Sequence, residues 1–111
     1  MHRLRTVYLY TLVDPRTGTV RYVGKTSDPD SRRRTHQRCQ PGGNPGLSVW
    51  FAELQTAKKV PVFEVIAQIS SWDWALSHDL ATAGEFKTIR FYRQYNRFRR
   101  LERVLNLLPK R

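Results

Sequence analysis

Two strand-like runs joined by a five-residue turn constrain this chain more than any other feature of its sequence. Residues 6–13 (TVYLYTLV) and 19–24 (TVRYVG) are rich in β-branched and aromatic residues, which suit a pleated, half-buried surface. Between them stands Asp14-Pro15-Arg16-Thr17-Gly18. Proline presets φ at a turn's second position and glycine accepts positive φ at its end, so the pentad closes an antiparallel hairpin.

The remaining elements follow from caps and periodicity. Asp30 or Ser31 can cap a helix over residues 32–38, which stops at the loop QPGGNPG of residues 40–46, expected to be exposed and mobile. Leu47, Trp50, Phe51, Leu54 and Ala57 recur at helical spacing up to Pro61, and residues 62–69 alternate as a third strand. From Asp73, a possible N-cap, the pattern is helical again, with Leu76, Leu80, Ala83, Ile89, Tyr92 and Tyr95 as candidate inward positions. The expected fold is one small α/β (α+β) domain over residues 1–111, with a basic C-terminal extension from about residue 96. At 111 residues there is no room for a second core.

Charge narrows the partner. Twenty Lys and Arg against nine Asp and Glu give +11, with a pI near 10.7, which points to a polyanion. Thirteen aromatic residues (five Phe, five Tyr, three Trp) are too many for a disordered basic tail. No apolar run approaches the roughly 20 residues needed to cross a bilayer, so neither membrane insertion nor secretion is expected. Cys39 is the single cysteine and no Cys/His group has zinc spacing, so a reducing cytoplasm is the expected setting and Cys39 a bystander.

Alternation puts Tyr8, Tyr10 and Leu12 on one face of the first strand, with Val7, Leu9 and Val13 on the other. A hairpin symmetric about Arg16 sets Tyr10 directly across from Tyr22, and on spacing alone this is an aromatic pair supporting the sheet. After Gly24-Lys25-Thr26, which lacks the earlier glycine of a nucleotide-phosphate loop, comes Arg32-Arg33-Arg34-Thr35-His36. Arg32 and His36 are one helical turn apart, and a guanidinium beside an imidazole suits a phosphate oxygen. Arg33, Arg34, Arg38, Arg90, Arg93 and Arg97 are further candidate phosphate contacts; the other reading is a solvated basic face. Glu85 lies on the inward stripe with Ile89 and Tyr92, where a carboxylate needs a partner, either a buried Arg or a divalent ion such as Mg²⁺.

With Tyr8-Leu9-Tyr10, Tyr22-Val23-Gly24, Lys25, the Arg32/His36 pair and Glu85 in that order, the chain resembles the GIY-YIG nuclease superfamily from about Val7 to about Tyr95. The resemblance implies a three-stranded, mainly antiparallel sheet flanked by helices, cleaving DNA phosphodiesters with one divalent metal, Mg²⁺ or Mn²⁺. It implies that Tyr10 activates the attacking water and that Tyr22 is the second motif's tyrosine. Arg32 would hold the scissile phosphate, His36 relay a proton, Lys25 lower the phenol's pKa or bind phosphate, and Glu85 hold the metal. Tyr8 and Leu9 stand where the first motif has Gly and Ile. The supporting Asn of such nucleases is Asn106 or Asn96, with Asn106 favoured by its Val-Leu-Asn context. A bare catalytic domain of this kind suggests a phage or other mobile element, acting on duplex or branched DNA.

The base is the demanding step. A phenol with pKa near 10 is about one part in a thousand ionised at pH 7, a cost of roughly 4 kcal/mol unless nearby positive charge lowers it. Lys25, Arg32 and the metal supply such charge; alternatively His36 takes the proton. The competing functions are a non-catalytic nucleic-acid-binding module on the same fold and an RNA-binding basic protein, although no known RNA motif is present.

Overall fold

The computed structural model describes residues 4–40, 42–99 and 104–106. Three strands and three helices run in the order β1 (Arg5–Val13), β2 (Val20–Thr26), α1 (Pro29–Gln37), α2 (Pro45–Thr56), β3 (Val62–Ser71) and α3 (Trp74–Phe98). The fold is α+β, with an antiparallel sheet in the order β2-β1-β3.

The turn forms as its residues dictate. Asp14 donates its N–H to the Thr19 carbonyl and accepts at its own carbonyl from Gly18 N–H, whose φ of 75° only glycine adopts freely. The register differs from the symmetric one. Tyr10 pairs with Gly24 and Leu12 with Tyr22: Asp14 closing on Thr19 centres the turn between Arg16 and Thr17, and Arg21, an extra residue on β2 at a bulge beside Val13, shifts the register by one more. Tyr10 and Tyr22 therefore meet diagonally, their ring centroids 6.3 Å apart. A second bulge, between Leu9 and Tyr10 on the β3 side, leaves Ile66 without an opposite residue.

The two faces of β1 feed two cores. Tyr10 and Leu12 join Leu47, Trp50, Phe51 and Leu54 of α2, together with Leu105; Val7 and Leu9 pack on Ala81 of α3. Three caps or boundaries move relative to expectation. Asp28, not Asp30 or Ser31, caps α1 by accepting from Ser31 N–H, so the helix starts at Pro29, where proline's missing donor costs nothing. Asn44 caps α2 and also donates to the Leu105 carbonyl, so the loop of residues 40–46 is tied down and buried at Asn44 rather than exposed throughout. Ala57 is the exposed C-cap of α2 rather than a core position.

Asp73 caps α3 as its sequence predicts. The inward stripe is nevertheless shifted: Ser77, Ala81, Ile89 and Asn96 are buried, while Leu76, Leu80, Ala83 and Tyr95 face outward and Tyr92 is half-buried. Small residues at 77 and 81 let α3 lie close on Val7 and Leu9, which a leucine on that line would prevent. No described helix is long and apolar enough to cross a membrane. Of the basic extension, Arg100, Arg103, Lys110 and Arg111 lie outside the described residues.

Candidate active site

The β2 edge of the sheet is where the two layers of helices come together around polar groups. Residues 104–106 run along that edge. Leu105 N–H donates to the Arg21 carbonyl, and the Asn106 side chain takes both backbone groups of Val23, accepting from its N–H at 2.7 Å and donating to its carbonyl at 2.6 Å. Asn106 thus completes an edge that would otherwise offer unpaired donors and acceptors. Asn96 also serves β2, donating to the Val20 carbonyl, but from within the packed face of α3.

Between α1, the loop before α2, β2 and α3 opens a cleft of about 520 Å³. Tyr22, Arg32, His36, Glu85 and Asn106 all line it, with Thr35, Gln40, Asn44 and Phe86 completing the wall. Residues far apart in sequence meet because β2 delivers Tyr22, one face of α1 delivers Arg32 and His36, and α3 passes the same edge at Glu85.

Tyr10 and Lys25 sit behind this wall. Tyr10 is 1% exposed; its hydroxyl lies 2.9 Å from His36 Nε2 and its ring stacks on Phe63 with centroids 4.5 Å apart. Gly24 makes this possible, since a Cβ at position 24 would overlap the Tyr10 ring. Lys25, on the opposite face of β2, reaches Glu85 Oε1 at 3.7 Å. The half-buried acid therefore has a lysine as its protein partner, where the sequence offered a buried arginine or a divalent ion.

The electrostatics follow from burial. Burial first, and the negative charge of Glu85 second, push the Tyr22 phenol above its usual range. Tyr10 is pushed up further, by burial and then by Tyr22. Burial, aided by the Arg32 guanidinium, pulls His36 down to about 4, so its imidazole is neutral at pH 7. Its Nδ1 is buried and has no hydrogen-bond partner among the described residues. Glu85 is raised by burial against the opposing pull of Lys25.

The predicted basic contacts separate. Arg33 lies over the Phe63 ring at 5.3 Å and pairs with Asp30 at 3.8 Å. Arg34 and Arg38 are exposed on α1 outside the cleft lining. Arg90, Arg93 and Arg97 are exposed on α3, and Arg93 flanks a hollow that shares Asn44 and Asn106 with the cleft. Sequence reading missed Thr35, Gln40 and Asn44. Asn44 before Pro45 carried an N-cap signal that would have placed it at the mouth of α2. Among the described residues no three His, Cys, Asp or Glu side chains are grouped as a metal cage. Compared with models of known protein families, with curated proteins and with solved structures, the chain matches none.

Proposed function

We propose that the protein is a metal-dependent endonuclease that hydrolyses DNA phosphodiester bonds by attack of water. The observation that carries this reading is the meeting of Tyr22, Arg32, His36 and Glu85 in one cleft of a chain with net charge +11. A binding surface needs cations; a half-buried carboxylate facing the cleft opposes a polyanion unless a cation stands between them. The resemblance to GIY-YIG nucleases assigns functions to these same residues.

The donor set fits Mg²⁺ or Mn²⁺ held by Glu85, with water and phosphate oxygens completing the shell, since Mg²⁺ often takes one or two carboxylates and keeps several waters. When bound, such an ion supplies positive charge to the phosphate as negative charge builds on it. Arg32 holds a phosphate oxygen and stabilises the same developing charge. Asn106 keeps β2 in place under Tyr22.

The shifts bear on proton removal from the attacking water. Ionising Tyr22 costs more than the roughly 4 kcal/mol of a free phenol, because burial raises it. His36 is neutral at pH 7 and needs no prior deprotonation to act as a base, so we assign it the proton, although taking it up with a pKa near 4 costs roughly 4 kcal/mol at pH 7. Tyr10, buried and joined to His36 Nε2, is a positioning residue for the imidazole rather than the group that meets water.

Cleavage of supercoiled plasmid and of a branched oligonucleotide, with Mg²⁺, Mn²⁺ or EDTA, tests the reading. Glu85→Gln is expected to lower metal-dependent nicking at least 100-fold while DNA affinity stays within threefold. Tight, salt-sensitive binding with no cleavage by either protein identifies a non-catalytic binding module instead.

A further inference from the structure

Outside the cleft, the C-terminal half of α3 carries an aromatic stripe that nothing in the proposed chemistry uses. Phe91, Tyr95 and Phe98 are 59%, 44% and 85% exposed. They recur at i, i+4 and i+7, so they form one line along the helix. The Phe91 and Tyr95 rings are 6.0 Å apart and within 18° of parallel, and Tyr92 meets both edge-on. Three aromatic side chains at that spacing ordinarily mark a buried face. Here the buried face is Ala81, Ile89 and Asn96, and the stripe looks outward.

Charge identifies the occupant. From Phe86 to Arg99 the sequence holds Lys87, Arg90, Arg93, Arg97 and Arg99 and no acid. An apolar protein surface docking here would have to desolvate or face these cations. A nucleic-acid single strand satisfies both features, because its unpaired bases present π faces to the rings while its phosphates meet the cations. Duplex does not, since its bases are stacked on one another and only its phosphates are offered.

Position links the stripe to the cleft. At about 100° per residue, Ile89 and Phe86 form the cleft wall of α3, Arg97 and Arg90 follow about 80–100° round from Ile89, and the aromatic line lies beyond Lys87, roughly 180–240° round. A strand leaving the cleft thus crosses a basic crest on a helix only about 10–12 Å wide before it reaches the rings. We propose that Phe91, Tyr95 and Phe98 are a base-stacking platform for an unpaired strand, so that the cleft's substrate carries single-stranded nucleotides beside the scissile phosphate. The consequence for cleavage rests on the nuclease reading; the binding does not.

The test is fluorescence anisotropy of the full chain with labelled oligo-dT and with a blunt duplex of equal length, in EDTA so that nothing is cut. Phe91→Ala, Tyr95→Ala and Phe98→Ala are each expected to weaken oligo-dT binding about tenfold, with duplex binding within twofold and the salt slope unchanged. Phe98→Trp is expected to retain single-strand affinity, and Phe98→Ala, at the most exposed position, to leave the far-UV circular dichroism spectrum unaltered. Equal losses on both ligands, or no loss on oligo-dT, overturn the platform. So does a wild-type dimer in sedimentation that becomes monomeric in the alanine variants with oligo-dT binding unchanged, which would make the stripe a protein interface. Absence of cleavage on every substrate would sink the nuclease reading while leaving a positive stacking result intact.

Discussion

The hairpin turn and the cleft beside β2 each bury polar groups, and the two sets are satisfied to opposite degrees. At the turn Asp14 is fully buried, yet its carboxylate accepts from Arg16 N, Nε and Nη2 and from Trp50 Nε1, at 2.8 to 3.0 Å. Those donors outweigh desolvation and hold its pKa down to about 2. In the cleft Glu85 has a lysine at 3.7 Å, His36 Nδ1 has no hydrogen-bond partner among the described residues, and burial prevails, moving Glu85, Tyr22 and His36 toward their neutral forms. The difference teaches where this fold keeps its stability and where it keeps its reactive groups. A carboxylate surrounded by donors is a structural fixture, whereas groups left short of partners retain the capacity to bind a ligand or exchange a proton.

The sharpest way to separate the two clusters is pH. His36 lies near 4 in the folded chain and near 6.5 when unfolded. The unfolded state therefore binds the extra proton as pH falls, so the stability present above 6.5 is lost between about 6.5 and 4, by of the order of 3 kcal/mol. Urea unfolding followed from pH 7 to 4.5 should show that slope in the wild type and a much flatter one in His36→Gln. An equal slope in both proteins would place the proton uptake elsewhere than His36.

Asp14 defines the turn cluster. Its window lies lower, with stability lost as pH falls from about 3.8 to about 2. At pH 7 Asp14→Asn removes the charge from three hydrogen bonds with Arg16 and the one with Trp50, and we expect a loss of about 2 kcal/mol. Plasmid nicking per folded molecule should stay within twofold. A variant of full stability, or one that is stable but inactive, would erase the distinction between a structural cluster and a reactive one.

How much of this was legible in the sequence depends on whether the signal was local. The hairpin, Asp73 as a cap and the Arg32/His36 pair could be read because turn chemistry and helical spacing are short-range; that Tyr22 and Glu85 join that pair was implied only by the resemblance to GIY-YIG nucleases. The hairpin register could not, because Arg21 bulges where its carbonyl is taken by Leu105, a partner 84 positions away. The inward face of α3 was misjudged for a related reason. Leu76 and Leu80 look like core by hydropathy, but close approach to Val7 and Leu9 selects Ser77 and Ala81 instead. Tyr10 shows the same limit at the site, since spacing read it as an aromatic support, the resemblance implied chemistry, and only packing shows that it lies beneath His36.

Gly24 is where the packing of the sheet and the cleft are coupled through Tyr10, and its substitution has the smallest expected energy but the most specific signature. In an ordinary strand, Gly→Ala gains stability by reducing the freedom of the unfolded chain. Here the new Cβ enters the Tyr10 ring, which cannot retreat because Phe63 stacks on it and His36 holds its hydroxyl. Overpacking of this kind reverses the sign, and Gly24→Ala should destabilise by about 1 kcal/mol and change the environment of the His36 ring in its NMR spectrum. In a Tyr10→Ala background the obstacle is gone, so the same glycine substitution should become neutral or stabilising. A double-mutant cycle reads that coupling directly. An equal cost in both backgrounds would mean that Gly24 answers to the backbone of β2 alone, and that the bond between Tyr10 and His36 does not depend on it.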